Sequence, residues 1–386
     1  MSKMSTYKKK TETKDRYWRE FQRENVNTYF SFQTDMFRNS VKECLNVKYD
    51  LFNEDSDDDD PKDECIIQSA CSEGDHETQE SEGGEADLHK YFIACKKNPG
   101  HRQFIHVDAF TLNHLPEDHQ DNDLYECIKV TADLTVRVNV TMSSPHRPKF
   151  YPKTIQPYPF DNMSDKRNLR TGSGGVRFVN KFQNGVRQDG KVGFTNYLKC
   201  WCRECKHSVS SSNVWWEFYV YTATHVVFDD IEASCTTLRF SYDKDDSPVV
   251  NVDKVSVLDA DIVYDLCVLY CVTCDNELGN KLMEMWKHSE NVREKIRDKY
   301  PAYRSKHKFN FLVSHPHGCS KQVSVGQWKD KHSVGSLTKL TYTTCTCPGS
   351  SGAPVHCVGY HNGLSNLVHS GSFKSGLNYS GAGIFY

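Results

Sequence analysis

Ser351 stands in the run Thr346-Cys347-Pro348-Gly349-Ser350-Ser351-Gly352-Ala353-Pro354-Val355, among glycines and just ahead of a proline. Glycine admits positive φ and lets other chain atoms come close, so the run reads as a tight turn presenting a hydroxyl. Such a turn can aim the amides of Gly349 and Ser351 at one point, which is what holds a developing oxyanion in acyl transfer. By itself the pattern is ordinary turn chemistry. Two residues upstream change its weight. His225 follows the strand-like run Trp215-Trp216-Glu217-Phe218-Tyr219-Val220-Tyr221, at a strand end from which it can reach a partner on another strand. Asp265 heads the apolar run Leu266-Cys267-Val268-Leu269. A carboxylate entering such a run needs a partner, because an unpaired buried charge is costly. A histidine N–H is a natural one, and His, Asp, Ser is one of the chain orders known for the hydrolytic triad.

Strands must hold these residues. Leu134, Val136, Val138, Val140 and Met142 alternate with polar residues, the period of a half-buried strand. Pro145, Pro148, Pro152, Pro157 and Pro159 then mark an extended connection that is neither helix nor inner strand. Beyond it, short apolar runs separated by Gly, Asn, Asp and Ser read as all-β. The exception is 278–297, where Leu282, Met285, Trp286, Val292 and Ile296 among charges predict an inserted helix. Trp18, Phe21, Tyr29, Phe30, Phe37, Val41 and Leu45 recur at roughly helical spacing in the N-terminal segment. That segment packs on the main domain or takes a protein partner. Glu54-Asp55-Ser56-Asp57-Asp58-Asp59-Asp60 opens an acidic stretch that self-repels and reads as a linker. The expected division is a basic tail and helical segment over 1–53, a disordered linker over 54–87, a β-containing extension over 88–170 and the main domain over 171–386.

With 386 residues the chain has ample core, and its net charge of −3 gives no footprint for nucleic acid or a membrane surface. No apolar run approaches a membrane span, and the start of the chain lacks the apolar core of a secretory signal. As it stands, the sequence is expected in the cytosol or nucleus. Its sixteen cysteines then read as reduced thiols or metal ligands rather than as disulfides.

Four stretches resemble the chymotrypsin-fold serine proteases, closest in style to the HtrA/Deg type. Thr222-Ala223-Thr224-His225-Val226-Val227 resembles the histidine motif, and Asp261-Ile262-Val263-Tyr264-Asp265-Leu266 the aspartate motif. Ser314-His315-Pro316-His317-Gly318 with Val323-Ser324-Val325-Gly326 resembles the opening of the second barrel, and Gly349-Ser350-Ser351-Gly352 the nucleophile motif. Gly172-Ser173-Gly174-Gly175-Val176 matches the opening strand more loosely. The resemblance covers about 170–386. It implies two six-stranded antiparallel β-barrels, here with an inserted helix and an N-terminal helical or disordered extension. It further implies His225 as general base, Asp265 as the residue that orients it, Ser351 as nucleophile, and Gly349 and Ser351 as the oxyanion hole. Ser350 stands where trypsins carry the aspartate that pairs with a freed N-terminus, so activation by that ion pair is not expected.

His369, Ser370 and Gly371 fall at the spacing of the family's primary specificity pocket, with 381–385 as the opposite wall. A histidine there resembles glutamyl endopeptidases and viral 3C-like proteases, which read Glu or Gln; a structural histidine is the other reading. Cys202/Cys205 and Cys271/Cys274 have zinc-type C-x2-C spacing, but only the fold could unite pairs so far apart. Free thiols are the plainer reading, and no metal or cofactor is assigned. The expected activity is peptide hydrolysis on a polypeptide substrate through an acyl-enzyme on Ser351. The rival is a silent or partner-activated protease fold used for binding or scaffolding.

Overall fold

A computed structural model describes residues 74–383 apart from 153, 164–167, 189–194, 196, 301–307, 336 and 359–365. The helical segment expected over 1–53, and the acidic stretch as far as 73, lie outside the described residues. From residue 74 the expected linker is ordered. It forms strands β1 (Asp75–His76) and β2 (Gln79–Ser81) and the start of helix α1 (Glu85–Ile93). The difference has a physical cause: these acids, unlike the run before them, find cationic and histidine partners elsewhere in the fold.

The other strands are β3 (Ile105–His106), β4 (Thr135–Val140), β5 (Leu169–Gln183), β6 (Val186–Arg187), β7 (Val214–Thr222) and β8 (Thr236–Phe240). They continue with β9 (Val250–Val252), β10 (Val255–Asp261), β11 (Leu266–Thr273), β12 (Phe309–Ser314) and β13 (Gln322–Val334). The last are β14 (Leu337–Tyr342), β15 (Val355–Cys357), β16 (His369–Ser372) and β17 (Asn378–Ser380). One sheet runs β10-β11-β7-β5-β4-β8-β9, with β2 and β6 also on β5; the other runs β1-β16-β17-β14-β13-β12-β15, with β3 on β13. Both are antiparallel and curled, an all-β chymotrypsin-like fold. Six strands per sheet were expected. The sheets have nine and eight among the described residues, because short strands such as β1, β2 and β3 dock on their edges.

The 88–170 stretch does not lie outside the first barrel, since β4 is an inner strand between β5 and β8. Val136, Val138 and Val140 share a core with Trp216, Phe218, Val220 and Leu269. The opposite face is buried too, rather than solvated: Arg137 donates to the Gly318 carbonyl at 2.6 Å and pairs with Glu85. The proline-rich connection after β4 holds one bridge pair, Phe150 with Pro157, among its described residues.

The predicted helix is α5 (Asn276–Lys299), after α2 (Asn122–Asp133), α3 (Arg203–Lys206) and α4 (Asp230–Ser234). Asp275 caps α5 by accepting from the amides of Glu277 and Leu278 at 2.9 and 3.0 Å, which stabilises such a helix by about 1 kcal/mol. Its first half lays Leu278, Leu282 and Trp286 on the first core. Gly279 lets the helix press on the Trp216 ring, which any Cβ there would strike. Its second half sets Val292 and Ile296 against Leu124 and Ile128 of α2 and Phe309 and Phe311 of β12. No helix among the described residues is long and apolar enough to cross a membrane.

Candidate active site

The nucleophile turn is shaped by two glycines. Gly349 has φ +97° and Gly352 φ +85°. A side chain at either would also collide, with the backbone of 315–318 at Gly349 and with Thr222 and Ser173 at Gly352. Amide bonds from Ser350 to Cys347 O (2.9 Å) and from Ala353 to Ser350 O (3.0 Å) close the turn. Ser173 of β5 ties it to the first sheet, its amide donating to Ser351 O at 2.7 Å and its hydroxyl to Gly349 O at 2.9 Å. Ser350 is buried and lies 3.1 Å from the Ser314 hydroxyl, a neutral contact where trypsins hold an ion pair.

His225 lies in the turn after β7, and Asp265 immediately precedes β11. The Asp265 carboxylate oxygens sit 2.9 and 2.8 Å from His225 Nδ1 and accept the His225 amide at 3.0 Å. A carboxylate only accepts, so Nδ1 carries the proton and Nε2 accepts from Ser351 Oγ, 2.8 Å away. Burial pushes the Asp265 carboxyl up, but His225, His76 and the Ser370 hydroxyl outweigh it and hold it well below the usual carboxylate range. Asp265 takes φ +50°, uncommon for a side-chain-bearing residue. Asp261, accepting from the amides of Val263 and Tyr264, and Gly381 with Ala382, packed on Tyr264 and Asp265, hold it there. Those two residues therefore back the acid. Of the stretch expected as the pocket's opposite wall, 384 and 385 lie outside the described residues.

A buried cluster fixes the histidine turn. Glu232 receives Arg147 Nε at 2.6 Å, Arg170 at 2.8 Å and the Phe228 amide at 2.9 Å, while Arg147 also donates to His225 O at 3.0 Å. Burial pushes the Glu232 carboxyl up, and the two guanidiniums overcome it and keep it ionised.

The cleft is filled by the chain itself. β1 pairs antiparallel with β16, Asp75 opposite Ser372 and His76 opposite Gly371. The His76 ring lies 4.1 Å from that of His225, centroid to centroid. The Glu77 carbonyl oxygen accepts from the amides of Gly349 and Ser351 at 2.6 and 3.3 Å, and the Glu77 amide donates to Ser351 Oγ at 3.1 Å. The Glu77 carboxylate accepts from His369 Nε2 at 2.7 Å, from Ser372 Oγ at 3.2 Å and from Lys97 Nζ. The carboxylate only accepts, so His369 Nε2 carries the proton and Nδ1 accepts from Tyr342 OH, 2.6 Å away. Burial pushes the Glu77 carboxyl up, but His369 and Lys97 together hold it down at about 2. Beyond Thr78, β2 pairs with β5, and Gln79 Oε1 accepts from His317 at 2.8 Å.

All the residues expected at the site are thus brought together: His225, Asp265, Ser351, Gly349, His369, Ser370 and Gly371. Sequence reasoning missed Lys97, Tyr342, His76 and Glu77. The first two carry no local signal, and the last two sit in a run whose acidity reads as solvated chain.

Among the described residues three side-chain clusters bring metal-ligating atoms together, one of them His225 and Asp265 with His76 in the cleft. Cys200, Cys202, Cys205 and Cys274 place their sulfurs within 4.8 Å of one another, as do the ligand atoms of Cys95, His101, His317 and Cys347. Cys271, expected beside Cys274, instead packs into the first core, and Cys200 takes its place.

No protein-family model matches the sequence, and no curated protein matches it. Solved structures of the HtrA-type protease AlgW are similar to it, one with a decapeptide and one with a tripeptide. Both are 11% identical to this chain, with TM-scores of 0.34 and 0.33. The matches cover 66% of this chain and 61% and 58% of those chains, so it spans about three-fifths of the proteins it resembles. At that distance the likeness carries no argument about chemistry.

Proposed function

We propose that the chain is a serine endopeptidase acting through Ser351, His225 and Asp265. One observation carries the reading: an unbroken relay of short hydrogen bonds, Ser351 to His225 to Asp265, ends beside two amides that converge on a single carbonyl oxygen. His225 takes the proton as Ser351 Oγ attacks a peptide carbonyl, then gives it to the leaving amine. Asp265 fixes the tautomer and stabilises the imidazolium. The amides of Gly349 and Ser351 hold the oxyanion, and removing one such donor costs about 10²–10³ in kcat. Water then releases the acyl group by the same route in reverse.

The test is covalent labelling by a fluorophosphonate, beside Ser351→Ala and His225→Ala. Uptake lost in both variants supports the reading. The chain's own segment shields the site, so the decisive form replaces Asp75, His76 and Glu77 with glycine. A folded protein that takes up no label even then is a scaffold rather than an enzyme.

A further inference from the structure

We propose that Glu77–Thr78 is a self-cleavage site, held in the cleft for attack by Ser351 of the same molecule. This rests on the endopeptidase reading and adds to it a substrate, a specificity and a processing event.

Four independent contacts place this one bond in register. The Glu77 carbonyl oxygen occupies the point on which the Gly349 and Ser351 amides converge. Its side chain is enclosed by His369, Lys97 and Ser372. On the N-terminal side, β1 adds to the edge of β16 as an extended peptide does when it augments a sheet. On the C-terminal side, β2 runs along β5. A segment that only plugged the cleft would need none of the carbonyl, side-chain and two-sided strand contacts to agree on one peptide bond.

The pocket reads glutamate. His369 Nε2 and Lys97 Nζ both point donors at one side chain, and only a carboxylate accepts from both without presenting a donor of its own. Tyr342 OH is the partner of the other ring nitrogen, Nδ1, when Nε2 carries the proton. In the reaction, Ser351 Oγ bonds to the Glu77 carbonyl carbon while its proton passes to His225 Nε2. The C–N bond to Thr78 then breaks, and that proton leaves on the new amine. Water hydrolyses the ester, giving a Glu77 carboxylate, a Thr78 ammonium and a restored Ser351 hydroxyl. Because the bond is already tethered on both sides, the step is intramolecular.

The full chain would be purified at low temperature and incubated, with intact mass and N-terminal sequencing over time, beside Ser351→Ala. Fragments 1–77 and 78–386 from the wild type, none from Ser351→Ala, and a first-order rate unchanged on hundredfold dilution are expected. A rate that rises with concentration overturns the intramolecular step. A chain that takes up fluorophosphonate yet stays whole at Glu77–Thr78 overturns the proposal and leaves the endopeptidase reading standing. Failure of that reading shows separately, as no labelling in the chain with glycine at 75–77.

A second inference stands on other residues. We infer that Cys200, Cys202, Cys205 and Cys274 form a structural zinc centre clamping the 200–205 turn to the end of β11. Cys274 Sγ lies 3.5 Å from Cys202 Sγ and 3.7 Å from Cys205 Sγ. Four thiolates about 2.3 Å from a tetrahedral zinc stand roughly 3.8 Å apart. The amides of Cys202, Cys205 and Ser212 donate to the sulfurs of Cys200, Cys202 and Cys205, each at 3.4 Å, and favour thiolates over thiols. Elemental analysis of the dialysed full chain should find zinc that Cys205→Ser lacks, and cobalt loading of the wild type should give a thiolate charge-transfer band. A wild type that gives no such band, or zinc that survives Cys205→Ser but not Cys347→Ser, overturns the assignment.

Discussion

Replacing glutamate by glutamine at the position held by His369 and Lys97 tests the pocket quantitatively. The Glu77 carboxyl is held at about 2 against an ordinary 4.5, so the site prefers the charged over the neutral form by about 3 kcal/mol. Glutamine keeps the shape of the neutral form, so that figure measures what it loses. Inside one molecule part of this loss could hide, because a tightly docked segment stays docked after losing some binding energy. The assay is therefore intermolecular, where kcat/KM counts the whole difference. The chain with glycine at 75–77 would be offered peptides copying residues 73–82, with Glu or Gln at the position of Glu77. A preference for Glu of roughly 10²- to 10³-fold is expected. Lys97→Met should shrink it to about tenfold or less, since the histidine can serve either side chain. Glutamine cleaved within threefold of glutamate by the unaltered pocket would refute the reasoning.

Asp265→Asn should leave the fold intact and slow fluorophosphonate uptake by about 10⁴, because an amide no longer enforces the productive tautomer; stopped-time labelling reads it. Glu232→Ala leaves Arg147 and Arg170 buried without their carboxylate and should cost about 3–5 kcal/mol in urea unfolding. Acid should free the cleft. Docked between His225, Asp265, Lys339 and Tyr151, His76 has its pKa pushed down to about 3, by burial first and then by the adjoining His225 imidazole. Protons therefore bind the undocked segment, and docking is complete above about pH 6.5 and lost progressively as pH falls toward 3. Between pH 7 and 5, counting Glu77 as well, it should weaken roughly 30-fold. Hydrogen exchange over 75–81 in Ser351→Ala measures this, and exchange that is unchanged or slower at pH 5, after correction for intrinsic rates, contradicts it.

The strands and the three residues of the proposed triad were legible because both leave local marks. Period-2 alternation, glycines at forced positive φ and a carboxylate heading an apolar run are each visible within ten residues. What escaped was long-range pairing. Arg137 looks like the solvated half of an amphipathic strand until Gly318 and Glu85 are brought over it. The stretch 75–81 looks like acidic tether because its composition says nothing of His369, nearly three hundred residues on. The C-x2-C spacing pointed at the right neighbourhood but named Cys271, because spacing does not say which sulfur faces the strand's other side.

The position of Lys97 decides the state of the site after cleavage. It lies downstream of the Glu77–Thr78 bond, so the fragment 78–386 keeps every side chain that binds the glutamate: His369, Lys97 and Ser372. Cutting therefore does not dismantle the pocket. It instead converts a tethered occupant into a separate peptide ending in a glutamate carboxylate, still paired through β1 with β16. That new charge accepts from the Gly349 and Ser351 amides, which favours retention, while loss of the tether through Thr78 removes the high effective concentration that held it. Release of the N-terminal fragment, rather than the chemical step, then sets when the cleft opens to other polypeptides. The mature site should accordingly show product inhibition by a peptide ending in Asp-His-Glu, and far less by the same peptide ending in a carboxamide beyond the glutamate.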